Sequence, residues 1–238
     1  MRIVALSDLA SITQRAGEAL EALLARHVGL PRLLLCSGGS ALKLLPFVQA
    51  HSCDETLTVS VLDERVTPDQ QSRNFPQVFQ SELAALGGPL GVNWFDPVPN
   101  SDETPELAAW RFQSFLREWK RVNPEGVIIA TLGMGSDGHT AGIFPFPEDA
   151  PHFIQVFDHE AAWVAGYHAG YEKHVLPDRV TVTMPFLRIQ VDAAIAFAVG
   201  DDKLPALRRL LAPQGSLAET PVRILLEMSH VTLFTDQV

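Results

Sequence analysis

The chain has 238 residues, 47% hydrophobic and 19% charged, with a formal net charge of −10 and only two cysteines, Cys36 and Cys53. That length allows one large α/β domain or two small ones, and the composition excludes a disordered chain. No apolar run reaches the roughly 18 residues that span a bilayer, and no basic stripe offers a nucleic acid a surface. The first residues turn polar too soon for a secretory signal, and two thiols make neither a zinc site nor a disulfide framework, so a cytoplasmic protein with a buried free Cys36 is expected.

From Ser7-Asp8 onward, Leu9, Ile12, Ala16, Ala19, Leu20, Leu23 and Leu24 recur at helical spacing, predicting an amphipathic helix that ends near Gly29 and Pro31. Residues 33–36 read as a buried parallel strand. They run through Ser37-Gly38-Gly39-Ser40 into a helical pattern reaching about His51. Residues 57–62 predict a second strand, ending in Asp63-Glu64-Arg65, with a helix around 75–86 beyond a polar loop. A short strand at 92–95 and a long helix over 104–121 follow. Residues 127–132 carry the clearest buried-strand pattern and lead into Gly133-Met134-Gly135-Ser136-Asp137-Gly138-His139-Thr140. After Pro145, Pro147 and Pro151, β-like runs are expected at 154–157 and 163–166. Strands at 179–183 and 193–199, a helix over 202–211 and a strand at 231–234 complete the chain. This alternation predicts a Rossmann-like three-layer α/β/α fold, a single domain over 1–238 with a mostly parallel sheet covered by helices on both faces. Ligands of such sheets sit beyond the carboxyl ends of the strands. Three polar motifs lie there: 37–40, 63–65 and 133–140.

The glycine loop has more than one reading. Gly133, Gly135 and Gly138 match a dinucleotide fingerprint, with Asp158 placed 20 residues on. That fingerprint needs a crossover helix, and Pro145 and Pro147 leave little room for one. A plain turn would use the glycines but has no need of Asp-Gly-His-Thr. His139 is the best catalytic candidate, since a neutral imidazole accepts a proton near pH 7, and Asp137 stands where it can orient the ring or place water. The other histidines read as ordinary surface or core residues. His168 and His174, six apart, make only a weak metal spacing. Neither Ser37 nor Ser136 sits in a G-x-S-x-G elbow. The amides of 37–40 suit a phosphate at a helix start and equally suit a simple cap. Asp63-Glu64-Arg65 is either a surface ion cluster or part of a site. Lys203 is locally anomalous, a cation at a helix N-terminus.

Taken together, these motifs resemble those of the 6-phosphogluconolactonases, in the superfamily they share with glucosamine-6-phosphate isomerases. The resemblance rests on Ser37-Gly38-Gly39-Ser40, Asp63-Glu64-Arg65-Val66, Ser72-Arg73-Asn74-Phe75, the run from Gly133 to Ala141, Phe144-Pro145, Arg179-Val180-Thr181-Val182-Thr183, and Gly200 with Lys203. It implies that Gly39, Ser40, Arg179 and Lys203 hold a substrate phosphate, with Asp63 among the substrate-binding residues. Arg65 would lie at the lactone end and His139 would activate water, aided by Asp137. The implied partner is a small phosphosugar lactone, and no metal or organic cofactor is implied. Isomerases of the superfamily carry an acidic residue shortly after the histidine and commonly a tyrosine in place of Arg65. Here Ala141-Gly142-Ile143-Phe144-Pro145 has no acid. A non-catalytic sugar-phosphate sensor is the alternative of a different class. The sequence departs from the family at Gly142, where serine is common, after Ser40, where no proline follows, and beyond Pro221.

Overall fold

The computed structural model describes residues 1–100, 103–170 and 175–237. Ten strands are assigned among them: β1 (Arg2–Ala5), β2 (Arg32–Cys36), β3 (Leu57–Val61), β4 (Asp63–Arg65), β5 (Asn93–Trp94), β6 (Val127–Gly133), β7 (Val164–His168), β8 (Asp178–Val182), β9 (Ala193–Ala198) and β10 (Val231–Thr235). Seven form one wholly parallel sheet in the order β1-β10-β9-β6-β2-β3-β5. Successive strand residues point to opposite faces, and each face has its own core. Leu33, Leu35, Ile128 and Ala130 pack on one side, while Leu34, Cys36, Val59 and Ile129 pack on the other. Both faces are thus buried, as the continuous apolar runs predict.

Helix α1 (Leu9–Arg26) covers the second face with Ile12, Ala16, Leu20 and Leu24, and the Asp8 side chain caps it by accepting from the Ser11 amide at 2.7 Å. Helix α4 (Pro105–Val122), capped by Thr104, covers the first with Phe112, Leu116 and Trp119. Between these two in sequence lie α2 (Asn74–Phe79) and α3 (Glu82–Gly87). One helix around 75–86 was expected. The chain breaks at Gln80-Ser81, where the Ser81 hydroxyl bonds back to the Val78 carbonyl at 2.6 Å.

The segment after β2 is a 3₁₀ helix, Gly39–Phe47, with Pro46 inside it. A proline in that place removes an amide donor from the expected α-helix. The β-like run at 154–157 is instead the end of helix α5 (Ala150–Phe157). Asp149 caps it by accepting from the His152 amide at 3.0 Å, Pro151 occupies its first turn, and Phe153 and Phe157 share its buried face. Helix α6 (Met184–Ile189) and strand β1 carried no sequence expectation; α7 (Leu204–Leu211) begins just after Lys203.

Asp63–Arg65 does not extend β3. It forms a second, antiparallel sheet in the order β4-β8-β7. Leu62 is the joint: its amide donates to the Cys36 carbonyl of the large sheet, and its carbonyl accepts from Val182 of the small one, both at 3.0 Å. Both cysteines are buried and free, and burial pushes the Cys36 thiol up to about 12. No helix among the described residues is long and apolar enough to cross a membrane.

Candidate active site

β2 and β6 are neighbours, but the next strand of the large sheet lies on one side for β2, at β3, and on the other for β6, at β9. Loops leaving such a pair diverge, and a crevice opens between them. Ser37 stitches its floor. Its amide donates to the Thr131 carbonyl at 3.1 Å, and its hydroxyl accepts from the Gly133 amide at 3.2 Å. Above lies a cavity of about 510 Å³. All eight residues singled out from the sequence line it: Gly39, Ser40, Asp63, Arg65, Asp137, His139, Arg179 and Lys203.

The glycine loop folds back on itself. The Gly135 amide donates to the His139 carbonyl at 2.9 Å, and the Gly138 amide to the Gly135 carbonyl at 3.0 Å. A Cβ on Gly135 would lie 2.1 Å from His139 Nδ1 and 2.5 Å from Asp137 Oδ1, so this glycine makes room for the imidazole. No helix follows Gly138 before α5, and the crossover a dinucleotide loop needs is absent from this stretch. Asp137 Oδ1 lies 2.6 Å from His139 Nδ1 and accepts the His139 amide at 3.0 Å. Burial works to raise the Asp137 carboxyl, but these hydrogen bonds and the charge of the imidazole outweigh it and bring the pKa to about 2. An ionised Asp137 can only accept, so it holds a proton on Nδ1, and in the neutral form of the ring the lone pair falls to Nε2.

The opposite wall is one face of the small sheet. Arg65 and Arg179 are direct cross-strand partners, as are Asp63 and Thr181, and Tyr167 follows Arg179 in the same row. Like charges placed opposite one another repel. Arg179 is 8% exposed, and burial lowers its pKa below the ordinary guanidinium value. Its compensation is Asp63 Oδ2 at 3.8 Å and the Phe144 ring at 4.9 Å. The same ring lies 4.8 Å from the His139 ring, so Phe144 lies beside both the imidazole and the buried guanidinium. Arg65 Nη1 donates to the Ser72 carbonyl at 2.6 Å. A pair of guanidinium groups held this close suits an anionic ligand. Lys203 comes to the cavity already paired with Asp202 at 2.8 Å, and Gly39, with φ +66°, opens the 3₁₀ helix whose first amides lack intrahelical partners.

Strand alternation divides Asp63-Glu64-Arg65. Asp63 and Arg65 face the cavity, while Glu64 turns away and is fully buried. Glu64 accepts from the amides of Arg65, Asn74 and Phe75 at 2.8, 2.6 and 2.7 Å. Burial pushes its pKa up to about 7 against those bonds and Arg73. Sequence reasoning gave no role to Asn74 or Phe144, which also line the cavity. The Asn74 side chain donates to the Asp63 carbonyl at 2.9 Å, fixing β4 beside α2. Their signal was present, since both stand in segments that carry the resemblance. His168 pairs with Asp178 at 2.7 Å, and His174 lies outside the described residues.

The family model described as glucosamine-6-phosphate isomerases/6-phosphogluconolactonase matches residues 7–234, well past Pro221. A 6-phosphogluconolactonase of Nostoc sp. is 30% identical over 168 residues, 68% of this chain and 63% of its own. One from Treponema pallidum is 33% identical over 147 residues, 57% of this chain and 56% of its own. These matches span less than two thirds of either relative. The solved 6-phosphogluconolactonase from Trypanosoma cruzi superposes with a TM-score of 0.76 at 19% identity, covering 98% of this chain and 93% of that one. That of Shewanella baltica gives 0.72 at 19%, covering 99% and 96%. The last two share the fold, and the family match shows that the chain belongs to the family of glucosamine-6-phosphate isomerases and 6-phosphogluconolactonases.

Proposed function

We propose that the protein hydrolyses 6-phospho-D-glucono-1,5-lactone to 6-phosphogluconate, as a cytoplasmic single-domain enzyme of the oxidative pentose phosphate pathway. The observation that carries this reading is the His139–Asp137 pair, at 2.6 Å, in the same cavity as the opposed Arg65 and Arg179. His139 Nε2 takes a proton from water as the water oxygen bonds to the lactone carbonyl carbon, and the carbonyl π electrons move onto oxygen. When the tetrahedral intermediate collapses, the ring C–O bond breaks and the imidazolium returns its proton to the departing oxygen. Asp137 holds the ring and stabilises its charged form. Arg179, with Lys203 and the Gly39 and Ser40 amides, binds the phosphate, with Asp63 ordering Arg179, and Arg65 faces the lactone end. Neither metal nor organic cofactor enters these steps.

The absence of a carboxyl side chain in 141–145 favours the lactonase over the isomerase of the same family. The test is hydrolysis of freshly prepared lactone, corrected for spontaneous opening, with glucosamine 6-phosphate assayed in parallel. Turnover of the lactone alone is expected. Turnover of the amino sugar alone, or binding of 6-phosphogluconate with turnover of neither, would replace this reading with an isomerase or a sensor.

A further inference from the structure

The turn that follows the catalytic histidine has an unusual construction. Ala141 and Gly142 have φ of +47° and +66°, and the Ile143 amide donates to the Thr140 carbonyl at 2.8 Å. Left-handed residues at both central positions, closed by that bond, make a type I′ turn. Ala141 is the only non-glycine residue with a positive φ among the described residues. Such conformations persist where the surroundings over-determine them, and they gather at functional sites.

The surroundings here are two buried hydroxyls of the small sheet. Thr181 Oγ1 donates to the Ala141 carbonyl, and the Tyr167 hydroxyl donates to the Gly142 carbonyl. Thr181 is fully buried and Tyr167 is 8% exposed. Burial also holds the Tyr167 hydroxyl protonated, above its ordinary range, so it remains a donor. All peptide bonds among the described residues are trans, and in a trans peptide C=O and N–H point to opposite sides. With the Ala141 carbonyl drawn into the small sheet, the Gly142 N–H is turned outward. With the Thr140 carbonyl taken by Ile143 inside the turn, the Ala141 N–H is also turned outward. Neither amide has a hydrogen-bond partner among the described residues, although both residues are buried and both line the cavity. Buried amides without partners are rare, and successive free amides of a turn form a concavity for an anion.

We propose that the Ala141 and Gly142 amides are the oxyanion hole of the reaction, and that Thr181 and Tyr167 are the positioning residues that aim them. This rests on the lactonase reading. His139, Ala141 and Gly142 line the same cavity, and in the proposed arrangement a lactone carbonyl attacked by water on Nε2 presents its oxygen to these donors. As water adds, negative charge gathers on that oxygen and the two N–H groups hold it. It is released when the ring C–O bond breaks. Arg65, already tethered to Ser72, supplies charge from the other side.

The test replaces Gly142 by glycolic acid, so that the N–H becomes an ester oxygen with no side chain changed. Loss of one such donor is expected to lower kcat about 100-fold, with KM for the lactone and the pH profile nearly unchanged. A kcat within threefold of wild type overturns the proposal. Thr181→Val gives a second measurement if the ester chain does not fold. It should lower kcat about tenfold, the worth of one hydrogen bond of ~1.4 kcal/mol, and Thr181→Ser should restore the rate. Equal kcat in the two Thr181 variants also overturns it. A wild-type protein that does not turn over lactone overturns the lactonase reading and this proposal together. Wild-type turnover with an unaffected ester variant overturns this proposal alone.

Discussion

The large sheet buries all five residues of β2 and packs apolar side chains on both faces, whereas the small sheet buries Arg179, Thr181, Asp63 and Glu64 beside Val180 and Val182. One is held by the hydrophobic effect and leaves its chemistry to the loops at its strand ends. The other carries chemistry on the strands themselves. Its cavity-facing row joins Arg65, Arg179 and Tyr167, and its opposite face supplies Val180 and Val182 to the core under α4. The lesson is a division of labour. In the proposed mechanism the hydrogen-bonded glycine loop supplies the base and the antiparallel ladder fixes Arg65 and Arg179, and the two meet at Phe144 and at the turn held by Thr181 and Tyr167.

The largest expected effect is on the loop side. His139→Ala should lower kcat by about 10²–10⁴-fold and still bind 6-phosphogluconate, measured by calorimetry; near-normal turnover would remove the loop from the chemistry. On the ladder side, Arg179→Ala should raise KM by about 10–100-fold, the worth of a charged hydrogen bond of ~1.5–3 kcal/mol. If its kcat falls more than its KM rises, the proposed separation of roles breaks down. A subtler effect concerns Glu64. Its folded pKa, about 7, lies above the ordinary carboxyl value of 4.5. The folded state therefore binds more protons than the unfolded one between those values, and this group's contribution is fully present below pH 4.5 and lost as pH rises through 7. Glu64→Gln should flatten that slope in denaturant titrations from pH 5 to 8. It should cost about 1 kcal/mol at pH 5, where one of three amides loses an acceptor, and the gap should close at higher pH. A gap that widens would show that ionised Glu64 stabilises the ladder. The smallest effect is none at all: a chelator should leave the rate unchanged, because the proposed base is an imidazole.

The same contrast explains what the sequence reveals. Leu33-Leu34-Leu35-Cys36 and the run over 127–132 announce themselves, because burial on both faces demands continuous apolar residues. The small sheet is harder to read. Asp63–Arg65 is three residues long and separated from β3 by Leu62 alone, so its change of sheet has no local signature. Residues 154–157 look like a strand when counted by β-branched and aromatic content. The Asp149 cap and Pro151 were the better guides, and they lie upstream of the window that misled. His139 and Asp137 stand out in the glycine loop itself and Lys203 by its place at a helix start, while the roles given to Arg65 and Arg179 come from the resemblance. The supports are not legible: the space left by Gly135, the Tyr167 and Thr181 hydroxyls, and the bond from the Val222 amide to the Gly138 carbonyl at 2.9 Å all join residues far apart in the chain or depend on a missing side chain.

The order of strands has a consequence for how the protein is made. Among the described residues β1 pairs only with β10, Arg2 standing opposite Thr232. A ribosome thus delivers β1 long before its single neighbour emerges, and closing so long a loop is entropically slow. Until then the strand carrying Ile3 and Val4 has nothing to zip onto. Nascent chains should therefore gain this outermost strand late, and removing β10 should release β1 as well.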